Sequence, residues 1–93
     1  MEIKQLKYFI EVAKREHLSE AALELDIAQS AISRQITQLE KELQVKLFNR
    51  EGRNIYLTDE GKQLFSEATK IIDQFDETVR LFHKQSESNH FII

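Results

Sequence analysis

Ser30, Ser33, Arg34, Thr37, Gln38 and Lys41 recur at three- and four-residue spacing, which gathers hydrogen-bonding groups and cations on one face of a helix. That face carries no carboxylate until Glu40 and Glu42 at its margins. A solvated helix ordinarily mixes signs there, and a face of donors and cations suits a polyanion instead. Further along, Arg50 and Arg53 lie within Asn49-Arg50-Glu51-Gly52-Arg53-Asn54, where glycine and asparagine tolerate the backbone angles of a hairpin turn. Both arginines are expected at or near its tip. Enzyme chemistry is not legible: no nucleophile stands beside a base, and no glycine-rich phosphate loop exists. His17, His83 and His90 share no metal-ligand spacing and the chain has no cysteine, so neither a metal nor another cofactor is expected.

The elements that must position these residues follow from apolar periodicity. Leu18 to Leu43 holds one short and one longer amphipathic stretch that meet at Asp26-Ile27-Ala28, which predicts a helix-turn-helix. Ala21, Ala22 and Leu25 line the first stretch, and the small alanines let a second helix cross closely. Ile32, Ile36, Leu39 and Leu43 bury one stripe of the second. Upstream, Leu6, Phe9, Ile10 and Ala13 predict a helix over Ile3 to about Arg15 that caps this core. Downstream, Leu47 and Phe48, then Ile55 and Leu57, flank the turn and predict a short two-stranded wing. Thr58 offers a hydroxyl to cap a last helix whose first turn carries Asp59 and Glu60, and the helical pattern continues to about Ser86. The predicted fold is mainly α: a winged helix-turn-helix of three helices and a two-stranded wing over residues 1–57, a long dimerisation helix over 58–88, and a tail over 89–93.

Ninety-three residues make one small domain. Charges interrupt every amino-terminal window in which a signal peptide needs an apolar core, and no stretch approaches the roughly 20 apolar residues of a membrane span. A cytoplasmic protein without a membrane partner is expected. The net charge of -3 argues against a polyanion only on average. Residues 29–56 hold five cations (Arg34, Lys41, Lys46, Arg50, Arg53) against three carboxylates, whereas residues 58–93 hold four cations against seven carboxylates. Contacts to phosphate depend on charge within a Debye length of roughly 8 Å, so the local balance governs.

In the last helix Phe65, Ala68, Ile72, Phe75, Val79 and Phe82 step by three and four as a heptad stripe. Leu64, Ile71 and Leu81 widen the apolar surface toward one flank, enough to dock on the head. A helix of about 29 residues, near 40 Å long at about 1.5 Å per residue, outreaches that head. The six stripe residues therefore predict a homodimer seam, which would set two polar helix faces side by side.

Taken together, Leu6-Lys7-Tyr8-Phe9, Ala21-Ala22-Leu23-Glu24-Leu25, Gln29-Ser30-Ala31-Ile32-Ser33-Arg34-Gln35-Ile36, Leu39-Glu40-Lys41-Glu42-Leu43, Leu47-Phe48-Asn49-Arg50 and Leu57-Thr58-Asp59-Glu60-Gly61 resemble the amino-terminal domain of LysR-type transcriptional regulators. The resemblance runs without a gap from about residue 3 to residue 62. It implies sequence-specific binding of double-stranded DNA at a partly palindromic operator with A·T-rich flanks, by a homodimer that extends to a tetramer in a full-length protein. It also implies that Gln29, Ser30, Ser33 and Arg34 reach base edges in a major groove. Their chemistry agrees, since glutamine pairs with adenine, arginine with guanine, and serine with base or phosphate. Arg53 matches a wing position that enters a minor groove, and Arg50 one that holds the wing or touches phosphate. Family members typically continue into a larger effector-binding domain, and residues 89–93 are compatible with its first residues, which would make the 93 residues a fragment.

Three positions depart from the pattern. Ala28 stands where serine or threonine is usual, His17 replaces a common serine, and Gln44 replaces the usual glycine. Each puts a local helix end in question. Two function classes remain: a dimeric DNA-binding module of a transcription regulator, and a winged-helix module that uses its polar face for another protein. Arg34 and Arg53, on surfaces that would face one duplex, favour the first.

Overall fold

A computed structural model describes residues 1–52 and 54–92, with side chains described as far as residue 83. The order is α1 (Ile3–Arg15), α2 (Leu18–Leu25), α3 (Gln29–Leu43), β1 (Phe48–Glu51), β2 (Asn54–Leu57) and α4 (Asp59–Ile92). The expected winged helix-turn-helix with a long last helix is therefore present. The wing is tighter than expected. Its strands pair antiparallel from Phe48 with Leu57 to Glu51 with Asn54, so Asn49, Arg50, Glu51 and Asn54 belong to strands rather than to the turn. Arg50 accordingly stands opposite Ile55 within the ladder, one pair back from the tip.

Each helix buries the stripe its period specifies. Leu6, Phe9, Val12 and Ala13 of α1 meet Leu18, Ala21 and Ala22 of α2 and Ile32, Ile36 and Leu39 of α3. Leu47, Phe48 and Ile55 close the core from the wing, with the Phe9 and Phe48 ring centroids 5.4 Å apart and the planes tilted by 54°. Few glycines are available to end helices, and left-handed Glu16, Asp26 and Gln44 close α1, α2 and α3 at φ 54°, 54° and 57°. That conformation costs a residue with a Cβ about 1–2 kcal/mol.

The stripe expected to form one seam on α4 divides in two. Ala68 is fully buried, and Leu64, Phe65 and Ile72 pack against the head core, so Ala68 is removed from the candidate dimer face. Ile71 and Leu81, expected to dock on the head, are instead exposed at 37% and 49%. The cause is length more than pitch, because Val79 lies at nearly the same angle around the helix as Ala68 and Ile72. The first turns of α4 present Leu64, Phe65, Ala68 and Ile72 to the head, whereas the helix then runs past it and Phe75, Val79 and Phe82 emerge at 41%, 41% and 65% exposure. At Phe75 the change is visible, because Lys7 of α1 places its ammonium 5.7 Å from the ring centroid. α4 passes the expected end near Ser86 and reaches Ile92. Among the described residues no helix is long and apolar enough to cross a membrane.

Candidate nucleic-acid interface

α3 begins directly after Ala28, whose methyl gives no side-chain cap, so the first backbone N–H groups of the helix lack that partner. α2 is better closed: the Glu20 N–H donates to His17 Nδ1 at 3.4 Å, so histidine takes the capping role of the usual serine. Between the two helices the Ser19 hydroxyl donates to Gln29 Oε1 at 2.9 Å. This contact ties the start of α3 to α2. Sequence reasoning did not find Ser19, because a serine on a short helix carries no signal until its neighbour across the turn is known.

Gln29, Ser30, Arg34, Thr37 and Gln38 are all exposed, and Ser33 is half-buried. α3 thus carries six of the expected residues on the surface that Ile32, Ile36 and Leu39 leave outward, and Arg50 lies on β1. Arg34 makes no hydrogen bond or ion pair among the described residues, which leaves its guanidinium available. Thr37 returns its hydroxyl to the Ser33 carbonyl at 2.9 Å, a bond within the helix that occupies its donor. Ser33 also meets the wing. Arg50 Nη2 donates to Ser33 Oγ at 3.3 Å, so Arg50 holds the wing against α3. Arg53 lies outside the described residues.

Backbone bonds fix the wing on its other sides. Ile55 N–H donates to the Glu16 carbonyl at 3.1 Å, joining β2 to the α1–α2 corner. Glu40 Oε2 accepts from Leu47 N–H at 2.7 Å and from Phe48 N–H at 3.4 Å. This carboxylate, read from the sequence as marking the margin of the polar face, holds the entry to β1. The exit is held by Thr58, whose hydroxyl donates to the Lys46 carbonyl at 2.5 Å and accepts from Gly61 N–H at 3.0 Å, the expected cap of α4.

A helix-turn-helix carrying an exposed polar helix, with a wing fastened beside it, is an arrangement that matches known proteins along most of the chain. Residues 3–62 match the family described as bacterial regulatory helix-turn-helix protein, lysR family. The chain belongs to the LysR family. It is 58% identical over 82 residues to the transcriptional dual regulator GltC of Bacillus subtilis (strain 168), an alignment that covers 85% of this chain and 27% of GltC. Its fold is similar to that of the BenM DBD in complex with catB site 1 DNA, with a TM-score of 0.87 and 36% identity over 90% of this chain and 93% of the other. It is also similar to the CbnR DBD–DNA complex, with a TM-score of 0.88 and 35% identity over 92% of this chain and 99% of the other. The chain thus spans less than a third of its curated LysR relative and nearly all of these two solved LysR domains.

Proposed function

We propose that this chain binds double-stranded DNA sequence-specifically, as the dimeric DNA-binding module of a LysR-type transcription regulator. In this reading α3 enters a major groove and the wing, through Arg53, an adjacent minor groove. The observation that carries it is the exposed face of α3, with Gln29, Ser30, Ser33 and Arg34 beside a wing that Arg50 fastens to that same face. Gln38 on the next turn extends the contact toward phosphate through its amide NH₂, and Thr37, whose hydroxyl proton goes to the Ser33 carbonyl, offers acceptor lone pairs to a donor on a base edge. The DNA complexes of the BenM and CbnR domains support the assignment by likeness of fold.

Ile71, Phe75, Val79 and Phe82 leave an apolar strip on α4 beyond the head, and a second copy of α4 is the partner the reading assigns to it. Phe65 and Ile72 border that contact while packing on the head. A two-fold dimer selects a partly palindromic operator, the wings add A·T-rich flanks, and a longer protein assembles two dimers as a tetramer. The module acts in the cytoplasm, by binding and without catalysis, and needs no metal or other cofactor.

The test is affinity for a pool of random-sequence duplexes across a salt series. Each phosphate neutralised contributes roughly 0.9 to the slope of log affinity against log salt, so a steep negative slope is expected. Absence of duplex binding at about 50 mM salt would favour the protein-interaction reading, because electrostatic attraction is strong under that condition.

A further inference from the structure

Two hydrogen-bond acceptors at the start of the exposed face of α3, on Gln29 and Ser33, are engaged by neighbouring side chains. Gln29 Oε1 accepts from the Ser19 hydroxyl at 2.9 Å, and Ser33 Oγ accepts from Arg50 Nη2 at 3.3 Å. Each oxygen keeps a second lone pair, but the groups left wholly free at these positions are donors: the Gln29 amide NH₂, the Ser33 hydroxyl proton and the Arg34 guanidinium. Building on the DNA-binding reading, we infer that Ser19 is a positioning residue that turns the Gln29 amide so that it offers donors to the groove, and thereby sets which base Gln29 selects. A free glutamine pairs bidentately with adenine by accepting from N6 and donating to N7. With Oε1 turned toward Ser19 and one of its two lone pairs engaged there, that pairing is disfavoured and the amide offers its NH₂ to the groove first. The base edge that answers a donor pair is guanine, whose N7 and O6 both accept.

Ser19 is suited to the task. It is half-buried in the second position of α2, so its backbone is fixed by the core that Leu18 and Ala21 enter, and its hydroxyl reaches Gln29 across the helix-turn-helix corner. The Ser19–Gln29 pair also stands where two surface clefts meet, one against Leu23, Asp26 and Ile27 and the other against His17, Arg50 and Asn54. Removing the hydroxyl leaves the amide free to turn without disturbing buried packing.

The experiment selects bound sequences from a random-duplex pool with the wild-type chain and with Ser19→Ala, Ser19→Thr, Gln29→Ala and the Ser19→Ala/Gln29→Ala pair. The wild type is expected to enrich guanine at one position of the half-site, and Gln29→Ala to lose that preference. Ser19→Ala should shift that position from guanine toward adenine by roughly two- to tenfold, the range of one neutral hydrogen bond. Ser19→Thr, which keeps a hydroxyl, should restore guanine. In the Gln29→Ala background Ser19→Ala should have no further effect on the selected base, which a general loss of folding would not reproduce. A wild type that enriches a motif which Ser19→Ala leaves unchanged overturns the positioning role alone. A wild type that enriches no sequence overturns the DNA-binding reading and this inference with it.

Discussion

Gly61 tests how closely α4 is joined to the wing. A Cβ at this position would overlap the Leu47 carbonyl oxygen and lie 2.9 Å from Leu57 Cδ2 and 3.1 Å from the Leu47 carbonyl carbon. That carbonyl already accepts from Thr58 N–H at 2.9 Å, so it cannot move aside without loosening the β2–α4 junction. Taken as an exposed helical site, Gly61→Ala would gain about 1 kcal/mol in helix propensity. Against that stand about 1–3 kcal/mol for overpacking a fixed backbone and about 1 kcal/mol for the weakened hydrogen bond. Steric overlap wins, and a net destabilisation of about 1–3 kcal/mol is expected.

Urea unfolding followed by circular dichroism, at one protomer concentration, measures it. With a slope of about 1–3 kcal/mol per molar, the midpoint should fall by about 1 M while the slope stays constant. Gly52→Ala is the control. Gly52 has φ +60° and nothing within 4 Å of a built Cβ, so its cost is confined to the left-handed backbone, about 1–2 kcal/mol. A Gly61→Ala chain as stable as the wild type would refute the close approach of α4 to Leu47.

Other substitutions probe separate links. Gln44→Gly should stabilise the fold by about 0.5–1 kcal/mol, since φ 57° strains a residue with a Cβ, and the unfolding midpoint reads it directly. Ala28→Ser should add about 0.5–1 kcal/mol by supplying the missing cap of α3, visible in the same measurement. Arg34→Ala should weaken specific binding by about 1–3 kcal/mol and relax preference mainly at one base position, as scored by selection from random duplexes. Phe75→Asp, on the 41% exposed strip, should convert a dimer to monomers in sedimentation by placing a charge in an apolar contact, and a monomeric wild type would remove that contact from the account.

Which parts were legible in the sequence depended on whether the signal was local. The bounds of α1, α2 and α3 were readable because Leu6, Phe9, Ala21, Ile32, Ile36 and Leu39 repeat with the helical period and are all buried. The exposed polar face of α3 followed as their complement. The helix ends followed from where that period stops, although the chain closes its helices with Glu16, Asp26 and Gln44 where glycine would have announced the turn. The wing turn was read too long, since Asn49, Arg50, Glu51 and Asn54 have no strand preference and are held in the ladder by pairing alone. Ala68 illustrates the limit of periodicity: its stripe said that the residue is buried, and only the path of α4 over the head says against what. Ser19 and Glu40 were missed as positioning groups because their partners lie 10 and 7 residues away across turns.

The wing is the joint through which α3 and α4 are related. A two-stranded hairpin is marginal in water by itself, yet this one is fastened to every neighbouring part. Arg50 joins it to Ser33 on α3, Ile55 to Glu16 at the α1–α2 corner, and Glu40 to Leu47 at its entry. At its exit the Leu47 carbonyl receives Thr58 N–H while Gly61 packs against the same carbonyl. The direction in which α4 leaves the head is therefore set by a backbone hydrogen bond and a missing Cβ, with Leu64, Phe65 and Ala68 filling the space behind them. In a dimer joined along the exposed strip of α4, the spacing of the two reading faces is governed at this junction. Lengthening α4 beyond Phe82 adds contact area but leaves that spacing unchanged, whereas a small rotation at Leu47 and Thr58 is magnified along about 50 Å of helix, the length of 34 residues at about 1.5 Å each.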